Sequence, residues 1–550
     1  MVRKTILATA VAGALAAISQ GAAAQTFSSR PSYLQGTDGT TTFTSILTTG
    51  DSVGGYQMVG IPDGLGAFDN GNGTFTVLMN HEIPSALGTT RAHGAVGAFV
   101  SEWVIRKSDL AVMSGQDLIQ HVYAWDTTTQ TNFTTALSSG PTFQRFCSAD
   151  LAAVSAYSYS DPTSGITYGT TNRIFLNGEE VGTPANSRTM GHVATGADAG
   201  KSYELGKFGL NTNGSGINAY NSWENLLANP VSQLKTVVAA NNDGGTGIAS
   251  NAVAIYVGTK TTTGTDVDKA GLTNGTLKFV NVAGVTSEIN NATTRTTGIA
   301  DGTAFTLSAT SSTTFSRPED GHWSADGKTY YFVTTDQLDT TDLASPTTKG
   351  GTRLWALSFS DISNPDAGGT IRKLIDTSAN PGGLGVAKPN MFDNITVNPD
   401  GTITILEDVG NANHNGKVWI YNPADGSLKM VGKFDPALFG DVNNLGVFTA
   451  GTHTRDEETS GVIDITSILG RNDGKQYSLL DAQDHALASF LLANGFISGV
   501  PGDAATLVEG GQLLLMTTNP VPEPETYAMM LAGLGALGGL AAMRRRARKA

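Results

Sequence analysis

The sequence predicts an all-β exported protein, and three observations carry that reading. Glycine supplies 67 of 550 residues, well above its usual share of about 7%, and threonine-rich turn segments recur along the whole chain. Helical periodicity is scarce outside the two ends. One pattern also repeats: a turn, an apolar run of strand composition, then a polar or acidic strand end.

The chain opens with MVRKTILATAVAGALAAISQGAAAQTF. Arg3 and Lys4 form a short basic region, Thr5 to Ile18 an apolar run, and Ala22 to Ala24 an A-x-A-like cleavage site before Gln25. The apolar run is shorter than the ~20 residues of a membrane-spanning helix, and no cysteine follows it for lipid attachment. Residues 1–24 are therefore expected to be removed by signal peptidase after Ala24.

The repeated runs lie at Asp69–Glu82, Thr171–Glu180, Asn251–Lys260, Ala325–Asp336, Pro399–Asp408 and Gly510–Asn519. Successive runs are roughly 75–110 residues apart, against ~40–50 for a simple propeller blade. Six elaborated blades with long inter-strand insertions would account for residues 25–520, and so would a two-sheet solenoid or sandwich. In a propeller, repeated strand ends can reach one mouth of the central channel, so acidic ends would converge there. Gly264–Thr310 reads as an exposed insertion and Ser478–Phe496 as a helix-like stretch; neither marks a domain boundary.

At the C-terminus, Pro522, Glu523 and Pro524 precede an uncharged apolar run, Tyr527 to Met543, and then Arg544, Arg545, Arg546, Arg548 and Lys549. The run can just cross a bilayer as a helix, and the basic cluster would hold its end in the cytoplasm. This order over residues 521–550 resembles the PEP-CTERM sorting signal. The resemblance implies transient membrane insertion, processing by an exosortase near the Pro-Glu-Pro triplet, and a final place in the periplasm, on the outer surface or in the extracellular matrix of a Gram-negative bacterium.

Removing both ends takes the basic total from 34 to 27 and the acidic total from 48 to 46, leaving a core near −19. That charge argues against nucleic-acid partners. An acidic protein that handles an anionic substrate needs cations to invert its local field. The single Cys147 excludes an intrachain disulfide; in an oxidising compartment it is buried, metal-bound or reactive.

Several familiar motifs fail. Gly191–Ser202 (GHVATGADAGKS) has Thr195 where a P-loop spacing needs glycine. Asp266–Leu277 ends on Leu277 where a calcium loop needs glutamate, and neither H-E-x-x-H nor G-x-S-x-G occurs. Compact polar motifs at strand ends remain: Asn80-His81-Glu82, Cys147, Gly178-Glu179-Glu180, Arg317-Pro318-Glu319-Asp320, Asp393-Asn394, Glu407-Asp408 and Asp456-Glu457-Glu458. Grouped carboxylates are the hard oxygen ligands preferred by calcium and ferric iron, and arginine offers a planar fork for phosphate. His81 reads as a hydrogen-bonded structural residue. Asp63, Asp400 and Asp425 sit in Asp-Gly turns, where turn formation suffices to explain them.

The NHE, lone-cysteine, GEE, RPED and FDN-x4-PDG motifs, in that order between Gly60 and Met516, resemble the PhoX alkaline phosphatase family. The resemblance implies an elaborated six-bladed β-propeller, a mixed ferric iron and calcium cluster, and hydrolysis of a phosphorylated small molecule, a phosphate monoester. Matched by position, Cys147 would be the thiolate iron ligand, Glu319 a carboxylate ligand and Arg317 the contact to substrate phosphate. Glu179 or Glu180 and Glu224 become metal-ligand candidates, Asp393 and Asn394 fill the DN motif, and Glu407 and Asp408 lie where calcium ligands are expected. The chain departs from the family after Cys147, where Ser148-Ala149-Asp150-Leu151 replaces a glycine-rich stretch. Two alternatives remain: a non-catalytic calcium-binding matrix protein, and a related phytase or phosphodiesterase. The working molecule is expected to be a monomer.

Overall fold

The computed structural model describes residues 25–126, 128–129, 133, 140–181, 187–209, 221–336, 351–378, 389–443 and 447–519. The expected signal peptide with Ala24, and the sorting tail with Pro522, Glu523 and Pro524, lie outside the described residues. No helix among the described residues is long and apolar enough to cross a membrane.

Antiparallel hairpins with glycine-bearing turns build six blades around a central channel. Blade one comprises Pro62–Asp69, Thr74–His81, Phe99–Arg106 and Val112–Asp117. Blade two comprises Ile174–Gly178, Thr189–Val193 and Lys201–Glu204, with His121–Tyr123 added in parallel at the outer edge. Its innermost element is the stretch 146–150, tied to the next strand by bridges Phe146–Glu179 and Asp150–Leu176. Blade three runs from Trp223–Ala228 through Lys235–Asn242 and Val253–Thr259 to Thr276–Val282. Blade four runs from Pro318–Trp323 through Thr329–Thr334 and Arg353–Phe359 to Gly369–Asp376.

Blade five contains Phe392–Val397, Ile403–Glu407, Lys417–Asn422 and Ser427–Phe434, with Leu34–Gly36 at its edge. Blade six contains Glu457–Asp464, Gln476–Leu487 and Glu509–Thr518, and its outer strand is the N-terminal Thr41–Thr48. A strand from the start of the described chain thus completes the last blade, which closes the ring. Apolar side chains fill the gaps between neighbouring blades: Phe75, Val77 and Met79 of blade one pack with Leu479, Leu513 and Leu515 of blade six.

Each of the six runs noted in the sequence falls in a different blade, on its second strand in blades one, two, four and five and on its third in blades three and six. The segment Gly264–Thr310 is only partly an insertion. It holds the short helix Asp266–Lys269, capped by Thr265, and Thr303–Ser308, which joins the outer strands of blades three and four into one nine-stranded sheet. Ser478–Phe496 corrects the helix-like reading. Its first part is the strand Gln476–Leu487, paired on both sides, and only Ala488–Ala493 is helical. Burial of both faces put apolar residues at positions that mimic a helical stripe.

The strand Gln476–Leu487 delivers Gln483 and His485 to one mouth of the channel, whereas its partner Glu509–Thr518 runs the opposite way and ends beside Gln476. The described chain therefore leaves the propeller at the other mouth. There the channel widens into a cavity of ≈360 Å³ lined partly by Asp150, Asp320, His322 and Asp464.

Candidate metal centre

One register position recurs in every blade. Pro62, Phe146, Trp223, Pro318, Phe392 and Glu457 on the innermost elements lie opposite His81, Glu179, Asn242, Thr334, Glu407 and Asp484 on the next strand. The residue after each inner member is Asp63, Cys147, Glu224, Glu319, Asp393 or Glu458. The residue after each outer member is Glu82, Glu180, Asp243, Thr335, Asp408 or His485. Register shifts fall at or just after the inner residue in blades one, three, four and five, and near it in blade six. Such bulges break the period of two and re-aim a side chain, here toward the channel axis. The backbone N–H of Glu82, Glu180, Thr335, Asp408 and His485 donates to the carbonyl of Ile61, Arg145, Arg317, Met391 and Asp456, so the same hook fixes five of the six strand ends.

The result is a small chamber of ≈40 Å³ lined by nine carboxylates, Cys147 and two arginines. Three sets of ligand atoms lie within 4.8 Å of one another: Asp63, Glu82 and Cys147; Cys147, Glu180 and Glu224; and Glu224, Glu319 and Asp393. Cys147 and Glu224 each belong to two sets, so the sets form one connected array. Arg145 bonds Glu82 at 2.6 Å and Glu180 at 2.8 Å. Arg317 bonds Asp243 at 3.0 Å and Glu319 at 2.9 Å. Two guanidinium groups cannot neutralise nine carboxylates.

A circuit of hydrogen bonds holds the blades in register around this chamber. Asn80 Nδ2 donates to the Cys147 carbonyl at 2.6 Å, Ser148 Oγ to Glu224 at 2.7 Å, and Asn225 Nδ2 to Asp320 at 2.6 Å. The Ile395 N–H donates to Asp320 at 3.1 Å, the Gly461 N–H to Asn394 at 2.6 Å, and Ser460 Oγ to the Pro62 carbonyl at 3.2 Å. Gly64 permits the closure between blades one and two, since a Cβ there would lie 2.4 Å from the Ala149 nitrogen.

Burial pushes Asp63, Glu224, Glu319 and Asp393 well above the usual carboxylate range, and repulsion adds to it, led by Glu458 for Asp63 and Asp393, Glu180 for Glu224 and Asp243 for Glu319. Glu180 and Glu458 are pushed up to about 7, again mainly by burial. Burial also opposes ionisation of Glu82, but Arg145 and its other partners hold it below its ordinary value. The Cys147 thiol is raised well above its ordinary value by burial, followed by the charges of Glu82 and Glu224. Crowded, desolvated carboxylates of this kind either take up protons or bind cations.

Of the candidate site residues singled out in the sequence, Cys147, Glu180, Glu224, Arg317, Glu319, Asp393 and Asp408 line the chamber, as do Glu82 and Glu458 of the polar strand-end motifs. Three others do not. Glu179 is turned away and saturated by Arg188, which grips it with Nε and Nη2 at 2.7 and 2.8 Å. Glu407 is occupied by Lys417 at 3.1 Å and by the Trp419 indole at 2.8 Å. Asn394 sits beneath the chamber in the inter-blade circuit. His81 is structural, bonded to the Gly60 carbonyl and to Ser101 and stacked on Phe99. The Asp63 reading is corrected: Asp63 and Gly64 form no turn but lie at the bulge of the strand Pro62–Asp69, and the Asp63 carboxylate lines the chamber. Arg145 and Asp243 were not singled out; the signal for Asp243 was its place after a second strand, as with Glu82 and Glu180.

Residues 520–546 match the PEP-CTERM protein-sorting motif, which implies export and processing by an exosortase. No curated protein matches the chain. Among solved structures, it is similar to Pseudomonas fluorescens PhoX in complex with vanadate, a transition state analogue, with TM-score 0.53 and 11% identity over 90% of this chain and 97% of that one. A Dyadobacter fermentans protein of unknown function is more distant, with TM-score 0.36 and 8% identity over 87% and 99% of the two chains. Chaetomium thermophilum Sqt1, bound to the N-terminus of ribosomal protein L10, aligns with TM-score 0.33 and 9% identity over 86% and 99%. The likeness to PhoX establishes the fold: the chain is an all-β protein with an elaborated six-bladed propeller, carrying a sorting motif behind it.

Proposed function

We propose that the chamber holds a cluster of cations, iron at the thiolate and calcium among the carboxylates, and that the protein hydrolyses phosphate monoesters at its rim. The observation that supports this most strongly is the connected array of six carboxylates and the chain's single cysteine, in a chamber to which every blade contributes a carboxylate. The donor set suits the metals: thiolate is the softer ligand and binds iron, while carboxylate oxygens suit hard cations. Buried acids that crowd one another need several positive charges to stay ionised together.

When bound, such cations supply the positive field that holds and polarises a phosphoryl group above an otherwise repulsive acidic floor. The protein's own residues do the rest. A chamber of ≈40 Å³ has room for ions and not for an ester, so the ester lies outside it. Arg317, its side chain 37% exposed and aligned by Asp243 and Glu319, offers its free guanidinium edge to the phosphate. The hydrogen-bond circuit keeps the carboxylates from collapsing on one another.

The test is to purify the core after export, measure bound iron and calcium, and assay p-nitrophenyl phosphate beside a phosphodiester and phytate. Cys147→Ser is expected to lose iron and monoesterase activity while keeping the fold. A core without both metals and without activity refutes the reading. Calcium without iron, with indifference to Cys147→Ser, would instead identify a calcium-rigidified matrix protein.

A further inference from the structure

The residue before each recurring inner-strand position is Ile61, Arg145, Ser222, Arg317, Met391 or Asp456. Four of these hold left-handed backbone: Ile61 at φ 50, Arg145 at φ 43, Arg317 at φ 55 and Met391 at φ 48. That region is costly for such side chains and persists where the surroundings over-determine it. In blades two and four the strained residue is an arginine, and the two are built alike. Each is gripped by the strand-end acid of the preceding blade, Glu82 for Arg145 and Asp243 for Arg317. Each also reaches an acid of its own blade, Glu180 or Glu319.

We propose that Arg145 is a second anion-binding arm of this site, equivalent to Arg317 across blade three, and that the pair selects dianionic phosphate monoesters over monoanionic diesters. The proposal rests on the phosphatase reading. In both arginines, Nε and Nη2 are committed to carboxylates, while Nη1 has no hydrogen-bond partner among the described residues. Their side chains are 45% and 37% exposed, whereas the carboxylates they hold are at most 15% exposed. An arriving anion therefore meets two guanidinium edges at the lip before it meets the acids beneath. A monoester offers three peripheral oxygens sharing two charges; a diester offers two sharing one. Two fixed forks match the first and leave one arm without a full partner for the second.

The test is calorimetric titration of inorganic phosphate into the metal-containing core and into Arg145→Gln, Arg145→Lys and Arg317→Gln, with metal content measured on each. Arg145→Gln is expected to weaken phosphate binding roughly tenfold or more, with metal content kept, and Arg145→Lys to fall between. The monoester-to-diester rate ratio should drop with it. Unchanged phosphate affinity in Arg145→Gln beside a loss in Arg317→Gln overturns the proposal. So does loss of metal in step with loss of affinity, since Arg145 would then only brace Glu82 and Glu180. Phosphate binding that depends on Arg145 in a core that hydrolyses nothing would sustain the arm and refute the enzyme.

Discussion

Glu180→Gln gives the sharpest test of the crowded chamber, because its effect should grow with pH and reverse with cations. Glu180 has a folded pKa of about 7 against an ordinary 4.5. Burial is the largest cause, and Arg145 only partly offsets it. The folded state thus binds this proton more tightly than the unfolded state, so stability is lost as pH rises from about 4.5 to about 7. The interval corresponds to about 3 kcal/mol at about 1.4 kcal/mol per pH unit. An amide of the same shape never ionises and escapes the loss. In chelator, urea unfolding of both proteins from pH 4.5 to pH 8 should show the substituted protein gaining about 3 kcal/mol relative to the wild type across that window. Measuring the difference between two proteins cancels the opposing slope of the buried His81 and His192, whose pKa values burial lowers to about 3. With calcium and iron present the order should reverse, since cations that bind only the folded state stabilise the wild type by mass action. A difference that stays flat with pH in chelator, or that favours the wild type there, refutes the picture of uncompensated buried acid.

Three further outcomes follow from geometry. Arg353, fully buried in blade four, bonds Glu288 at 2.8 Å and Asp376 at 3.2 Å; Arg353→Met leaves the buried Glu288 without its ion-pair partner, while Asp376 keeps Lys373, and should cost about 3–5 kcal/mol in urea unfolding. Gly64→Ala places a Cβ against the Ala149 backbone and should cost about 1–3 kcal/mol, with lower metal retention because the Cys147 segment must move. Because the described chain leaves at the mouth opposite the chamber, the full chain in proteoliposomes should hydrolyse p-nitrophenyl phosphate as fast as the released core; a rate restored only on release would show that the anchored protein buries its working face.

Much of the fold was legible because the repeat announces itself: each of the six runs marks one blade. What stayed hidden was which strand each run represents. Second and third strands are buried on both faces, so both read as apolar runs, and the register of neighbours decides between them. The chamber was half legible for the same reason. Glu82, Glu180 and Asp408 each close a marked run, but Glu179 and Glu407 share those motifs and differ only in which way the strand turns them. Arg188 and Lys417, which claim them, are 9 and 10 residues away in the chain, and nothing in the local sequence pairs them. Asp63 was hidden by a sufficient local explanation, an Asp-Gly turn, where the chain instead runs on as a bulged strand.

The blades also explain why one position can carry five carboxylates and a thiol. A propeller repeats its backbone, so the inner position always faces the channel whatever residue it bears; only the side chain is free to vary. Here that freedom yields Asp63, Cys147, Glu224, Glu319, Asp393 and Glu458 on the inner ring, with Thr335 and His485 as the two outer members that bear no carboxylate. These exceptions are informative. Thr335 spends its hydroxyl on the Phe392 carbonyl of blade five and lies in the same blade as Arg317, which already supplies charge. His485 is held between Glu458 and Glu509, and those carboxylates, working against burial, raise its pKa well above the ordinary value. Blades four and six, which bring no carboxylate at the outer position, thus each bring a cation near it, as blade two does with Arg145 beside Glu180. In the array of ligand atoms Cys147 lies between Glu82 and Glu224, whereas Asp408 and Glu458 belong to none of the three sets. A cation cluster centred anywhere other than beside Cys147 would be at odds with this distribution, and Glu82→Gln and Glu224→Gln should each lower metal stoichiometry more than Asp408→Asn does.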